Sequence, residues 1–290
     1  MHSYHLLNNR AILELSGCDV ANFLLRITTN VIPAANGEAK YSMILSPQGR
    51  FLFDFFLINI NNHNTFFIDC LASVKNALLS KLHMFKLRSK VQINDVSDFY
   101  DVIYSQFYIN DSNLHHLNLN TAKLVTQYRD PRFNQMGFRL LTEKLHSCNL
   151  VNSNTDVYLV DKYKFAIPDG EIDIPSNKAI PPEYGADRLN AISYSKGCYI
   201  GQELISRIKS QGVVRKKIYH ATSDENLLNV APQTPVMHNS NIIGYWCSSY
   251  YTQGIALIRE SSDQNNIFTK QEITVDSAKI KLSIPQWQIT

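Results

Sequence analysis

Apolar residues along this chain switch between two periods. A short strand over Ala11 to Leu15 leads into "CDVANFLLRITTN", where Phe23, Leu24 and Ile27 share one face of a helix that Asp19 is placed to cap. "KYSMILSPQGRFLFDFFLINI" reads as two strands joined by the turn Ser46-Pro47-Gln48-Gly49, and "TFFIDC" follows as a third after a polar break. In "LASVKNALLSKLHMFKL", Val74, Leu78, Leu82 and Phe85 recur at helical spacing, which predicts a helix lying on a sheet. "VQINDVSDF" and "YDVIYSQFYI" return to strand character. Hairpins mixed with helices predict an α+β domain, not alternating βαβ units.

The texture changes after about residue 213. "VVRKKIYHAT", "TPVMHN", "NIIGYWCSSY", "QGIALIRE" and "EITVDSAKIKLSI" are short β-type runs between polar turns, with no helical window among them. That spacing predicts a small antiparallel barrel or sandwich. The expected division is therefore 1–212 and 213–290.

Composition narrows the function classes. A chain of 290 residues with 44 % hydrophobic and 18 % charged residues is an ordinary globular protein. A formal charge of +3 does not advertise nucleic-acid binding, so no direct nucleic-acid partner is expected. "FLFDFFLINI" is too short to span a bilayer, and no membrane role is expected. Cys18, Cys70, Cys148, Cys198 and Cys247 are odd in number and form no CxxC, which argues against a disulfide framework or a Cys-only metal site. The start lacks the look of a signal or transit peptide. A reducing compartment is expected: a bacterial cytoplasm, or a mitochondrial matrix for a processed organellar form.

Candidate chemistry centres on "SYSKGCYIGQELISRI". Ile200, Leu204 and Ile208 at i, i+4 and i+8 predict an amphipathic helix from near Gly201 to before Gly212, with Gly197 permitting a tight turn ahead of it. Cys198 would then sit at or just outside a helix N-terminus, where amide groups and the dipole favour a thiolate, and Lys196 would add to that field. Residues 196–217 carry Lys196, Arg207, Lys209, Arg215, Lys216 and Lys217 against the single acid Glu203. On these residues alone Cys198 stays open between a reactive thiol and a small buried hydrophobe. The pair His115-His116 lacks a Cys or acid at metal-ligand spacing and reads as a solvated turn. "SPQGR" lacks the spacing of a phosphate loop, and no G-x-S-x-G occurs.

"KGCYIGQE" resembles the signature octapeptide of the YgfZ family, folate-binding relatives of the glycine-cleavage T-protein. "LSGCDVANFLLRITTNV", "SPQGRFLFDFFL", "DPRFNQMGFRLL", "IPPEYGADRLNAISYSKGCYIGQELISR" and "IIGYWCSSYYTQGIALIRE" are similar to further family segments, so the resemblance covers most of the chain. It implies a T-protein-like, folate-binding α+β domain with a central opening, followed by a small C-terminal antiparallel β-barrel. It implies Cys198 and Lys196 as the reactive pair, and Gly49, Arg50, Asp54, Tyr199, Gln202 and Glu203 as folate-binding residues. It also implies a folate-dependent factor, with tetrahydrofolate as cofactor, for assembly or repair of iron–sulfur proteins. Client or assembly proteins would be its partners, any cluster contact would be transient, and support of tRNA modification such as methylthiolation would be indirect. The alternative is a T-protein-type aminomethyltransferase; a transferase-like activity is compatible with both. Two departures count, in turn, against aminomethyl chemistry at Asp54 and against a ligand role for the exit of the first helix. Asp54 stands between Phe53 and Phe55 where T-proteins carry adjacent acids, and Val31 follows Thr29-Asn30 where the family often has Asp.

Overall fold

The computed structural model describes residues 4–109, 123–144, 156–212, 214–260 and 272–289. His115-His116 and Cys148 lie outside the described residues. The chain divides into two compact units. The first takes in residues 1–45, 53–158 and 190–200; the second takes in 46–52, 159–189 and 201–290.

In the first unit the elements run β1 (Tyr4–Leu6), β2 (Arg10–Ser16), α1 (Val20–Ile27), β3 (Ala39–Leu45), β4 (Phe51–Asn61), β5 (Thr65–Leu71), α2 (Lys75–Lys86), β6 (Gln92–Asp95), β7 (Tyr100–Ser105), β8 (Leu124–Arg129) and β9 (Phe138–Glu143). One sheet has the order β3-β4-β5-β2-β6, the other β1-β7-β9-β8. Phe55, Phe56, Leu57 and Ile58 are all buried in succession, so β4 is covered on both faces, as its unbroken apolar run requires. α1 buries Val20, Phe23, Leu24 and Ile27, the stripe its sequence spacing implies. Asp19 does precede this helix, but its side chain makes no cap bond. Its carboxylate instead accepts the Lys90 backbone N–H at 2.7 Å, which ties the start of α1 to the segment after α2.

A charged layer joins residues of both sheets. Arg10 donates to Asp69 at 2.6 Å, Arg132 to Asp130 at 2.7 Å, and Arg139 to Asp130 at 3.1 Å and Asp69 at 3.4 Å. Phe56 lies under the guanidinium groups of Arg139, Arg132 and Arg10, 4.1, 5.2 and 5.6 Å from its centroid. Asp69, Asp130, Arg132 and Arg139 are each at most 1 % exposed.

The second unit contains most of α3 (Val157–Lys164), then α4 (Gln202–Gln211), β10 (Lys216–Thr222), β11 (Pro235–His238), β12 (Asn241–Tyr250), β13 (Gln253–Arg259), β14 (Ile273–Val275), β15 (Ala278–Ser283) and α5 (Gln286–Ile289). The six strands close as β10-β13-β12-β11-β14-β15, so the barrel forms and the sandwich does not. Val236, Trp246, Ala256, Ile258, Val275 and Ile280 are among the residues filling its interior. Among the described residues after 213, strand periodicity hides a helix, α5, four residues long, which buries Trp287. That indole donates to the Phe165 carbonyl at 2.9 Å and lies against Gly185 (φ +74), where a Cβ would meet the ring at 2.3 Å. Buried Lys162 pairs with Asp173 at 2.8 Å, and Asp173 accepts from Ser248 of the barrel. Among the described residues no helix is long and apolar enough to cross a membrane.

Candidate functional site

Residues 190–200 run back along the exit of α1 and are sewn to it. Thr29 donates its hydroxyl to the Ala191 carbonyl at 2.7 Å, and its own carbonyl accepts from Ser193 N at 3.0 Å. Asn30 donates its side-chain amide to the Asn190 carbonyl at 2.7 Å, and Ile200 N reaches the Arg26 carbonyl at 3.2 Å. This stitching fixes where Lys196 and Cys198 stand.

Lys196 turns its ammonium toward the end of α1. It donates to the Thr28 carbonyl and, at 2.9 Å, to the Asn30 carbonyl, and sits 5.1 Å from the centroid of the buried Tyr199 ring. A cation at a helix C-terminus meets carbonyls that have no partner within the helix. Burial nevertheless lowers its pKa to about 8, since the charged form loses more hydration than the neutral amine does. Burial pushes the Tyr199 phenol up.

Cys198 is exposed, so it is not the small buried hydrophobe that its residues alone allowed. With Lys196 and Gly197 it lines a cleft of about 1280 Å³. The facing walls come from α1, through Asn22, Phe23 and Arg26, and from the end of α2 and the turn after it, through Met84, Leu87 and Arg88. Cys70 and Cys247 are buried, and burial pushes the Cys70 thiol up to about 12 and that of Cys247 well above its ordinary value. Among the described cysteines only Cys18 and Cys198 are exposed.

The turn glycine of the motif is Gly201 (φ +83), not Gly197. Gly197 has open space where a Cβ would stand, so nothing there demands glycine. α4 starts at Gln202, and the residue it buries is Ile205; Ile200, Leu204 and Ile208 are only half-buried, so the buried face lies one residue off the stripe drawn from the sequence. Gln202 is half-buried and Glu203 exposed in the first turn.

The hairpin turn packs on that same glycine within the second unit. Gly49 (φ +76) holds a place where a Cβ would lie 2.7 Å from Leu204 Cβ and 2.9 Å from the Gly201 carbonyl oxygen. Arg50 donates to the Lys178 carbonyl at 3.0 Å. In the first unit Asp54 accepts the Tyr41 hydroxyl at 2.8 Å and is half-buried. The structure thus brings Lys196, Gly197 and Cys198 together on the cleft, and Gly49 together with the start of α4; Asp54 is absent from the cleft wall.

A second, smaller pocket of about 440 Å³ in the first unit escaped the sequence reading. Asn30, Lys40, Tyr41, Asn190, Tyr194 and Ser195 are among its lining residues. No local motif marks it, because its walls come from four separate stretches of chain. Among the described residues, no three His, Cys, Asp or Glu side chains converge as a metal site.

Comparison with known proteins bears on this geometry. Residues 215–289 match the family described as "CAF17, C-terminal beta-barrel domain", the stretch that forms the closed barrel. The protein "Iron-sulfur cluster assembly factor IBA57, mitochondrial" of Mus musculus is 28 % identical over 303 residues, covering 97 % of this chain and 84 % of that protein. Its Homo sapiens counterpart is 28 % identical over 301 residues, with the same coverage. Over almost its whole length the chain is therefore similar to proteins named IBA57 assembly factors. The resemblance drawn from the cysteine motif therefore extends along almost the whole chain. "Glycine cleavage system aminomethyltransferase T" from Bartonella henselae shares the fold with a TM-score of 0.70, over 98 % of this chain and 84 % of that one, at 12 % identity. The chain thus has a T-protein-like fold with a barrel at its C-terminal end that matches the CAF17 barrel family.

Proposed function

We propose that this protein helps assemble or repair iron–sulfur proteins, with Cys198 as its working group and folate as its ligand. The observation that carries the reading is the match to IBA57 assembly factors along 97 % of the chain, together with the exposure of Cys198 on an open cleft. One thiol cannot supply the four ligands of a protein-held cluster, so a cluster is cargo here and its other ligands come from a client or assembly protein. Lys196, whose pKa burial brings to about 8, places an ammonium in partial equilibrium with a neutral amine two residues from that thiol.

Folate fits the chemistry of Asp54. A half-buried carboxylate that takes the Tyr41 hydroxyl is the kind of acceptor that suits the ring N–H donors of a pterin. Folate supplies one-carbon or redox capacity when bound; the chain's own part is to orient it. Support of tRNA methylthiolation follows indirectly, through clusters in the modifying enzymes, without contact to RNA. The IBA57 relatives are mitochondrial by name. The reducing compartment that the cysteine pattern calls for is common to a mitochondrial matrix and a bacterial cytoplasm.

The shared fold with an aminomethyltransferase keeps one alternative, transfer of an aminomethyl carbon to tetrahydrofolate. Complementation of cells lacking their own homologue separates the two. The expected result is restored activity of iron–sulfur enzymes, including a radical tRNA methylthiotransferase, with glycine-cleavage flux unchanged. Restored glycine cleavage without restored iron–sulfur activity overturns the proposal. Titration with tetrahydrofolate should show binding that Asp54→Asn weakens at least about tenfold, the loss typical of a charge-assisted hydrogen bond.

A further inference from the structure

The cleft that carries Cys198 has an apolar side that its chemistry does not require. Leu87 is 87 % exposed and Met84 53 % exposed. Both face the same cleft as Phe23, Phe85 and Ile200. Single exposed apolar residues are ordinary on a soluble protein, but several on one concave wall mark a contact site. Leu87 also ends α2 with φ +48 and ψ −115, a backbone conformation that branched side chains seldom adopt. The turn it makes leaves its side chain in solvent. Met84 adds a flexible, polarisable contact that adapts to a partner.

Charge on the cleft has one dominant sign. Arg26, Lys86, Arg88 and Lys196 line it, against the single acid Asp19. The Asp19 carboxylate accepts the Lys90 amide, and Arg26 is held at the rim by a 2.9 Å bond to Ser89. A basic cleft that also exposes apolar side chains is complementary to a surface that presents acids around an apolar side chain.

We propose that this cleft is a docking surface for an acidic protein segment, which seats an apolar residue against Leu87 and Met84 and so brings its owner to Cys198. The inference rests on the reading that Cys198 serves protein clients, and it adds the chemistry by which such a client is chosen. A folate tail or an RNA would need the cations but not the exposed leucine.

Fluorescence anisotropy on the full chain tests this with labelled probes. One is a hexapeptide with a Leu-Phe centre flanked by two glutamates on each side; the others are its lysine-flanked counterpart, pentaglutamate and a short RNA hairpin. The glutamate-flanked peptide is expected to bind in a salt-sensitive manner, at least about tenfold tighter than any other probe. Leu87→Asp and, separately, Arg88→Glu should each weaken it by about tenfold or more with an unchanged thermal midpoint. Equal binding of pentaglutamate overturns the proposal in favour of a plain anion site, and tighter binding of the hairpin in favour of RNA. Equal binding of the lysine peptide, no binding of the acidic one, or indifference to both variants also overturns it. Rescue of iron–sulfur enzymes by the wild type is scored separately. Rescue without peptide binding removes only the docking surface, whereas binding without rescue removes the cluster-assembly reading.

Discussion

Two charged regions of the first unit are opposites. In the layer joining its sheets, Arg10, Asp69, Asp130, Arg132 and Arg139 are paired with one another or stacked on Phe56, and four of them are at most 1 % exposed. On the Cys198 cleft, Arg26, Lys86 and Arg88 stand at a rim beside an exposed thiol and an exposed leucine. Buried charge is tolerable only when paired, so the first region is committed to holding sheets together. Charge at a solvated rim contributes little to stability and stays available for partners. Similar residue types are thus buried as architecture in one place and line an open cleft in the other.

The sharpest way to break this contrast is to damage the buried side. Asp130→Ala removes the carboxylate that Arg132 and Arg139 share, leaving Asp69 to Arg139 and Arg10, and should cost about 3–5 kcal/mol, or abolish folding, in a denaturant titration. A loss below about 1 kcal/mol would mean that the layer is not what holds the sheets. The next effect is a packing one in the second unit. Gly49→Ala adds a Cβ 2.7 Å from Leu204 Cβ at φ +76, and should cost about 1–3 kcal/mol by strain and overlap.

Acid should act on the buried side as well. Burial alone would raise the Asp130 pKa, but the guanidinium groups of Arg132 and Arg139 outweigh it and hold the carboxyl below its ordinary value. A carboxylate depressed in the folded state stabilises fully above its unfolded pKa, about 4. That contribution fades as pH falls through the lower, folded value, so unfolding midpoints should drop below about pH 4. Asp130→Asn, if it folds, should flatten that slope.

On the exposed side the changes are chemical and small in stability. Lys196, with its pKa lowered to about 8, should be acylated by amine reagents at pH 8 faster than the surface lysines, as mass spectrometry of brief labelling would show. The slope with pH has the same sign as for Asp130, but in an alkaline window. Between about 8 and its unfolded value the unfolded chain holds more protons at this group, so its contribution to stability rises with pH there. Labelling no faster than the average lysine would remove Lys196 from the pair.

Much of the architecture was legible in the sequence because its periods are clean. Phe23, Leu24 and Ile27 in α1, and the short runs that became β10 to β15, were assigned from spacing alone. What spacing does not encode is the partner of a charged residue. Asp69 reads as one acid in the apolar run "TFFIDC", and only the fold shows it between Arg10 and Arg139. Asp19 precedes its helix as expected yet serves the Lys90 amide, because that amide approaches from a distant loop. Gly197 and Gly201 both suit a turn on composition, and φ alone separates them. The cysteine was visible in its motif; the cleft that gives it access was not, since its other walls come from α1 and the end of α2.

The contrast is tested most directly by one substitution measured in two ways. Cys198→Ser is made in the full chain, and the activity of iron–sulfur enzymes is measured in cells depleted of their own homologue, at matched protein levels. Because the side chain is exposed, the folded state should change by no more than about 0.5 kcal/mol. The expected result is enzyme activity as low as in the depleted cells while the denaturation midpoint stays at the wild-type value. Full activity with Ser at position 198 would contradict the claim that this thiol is the working group.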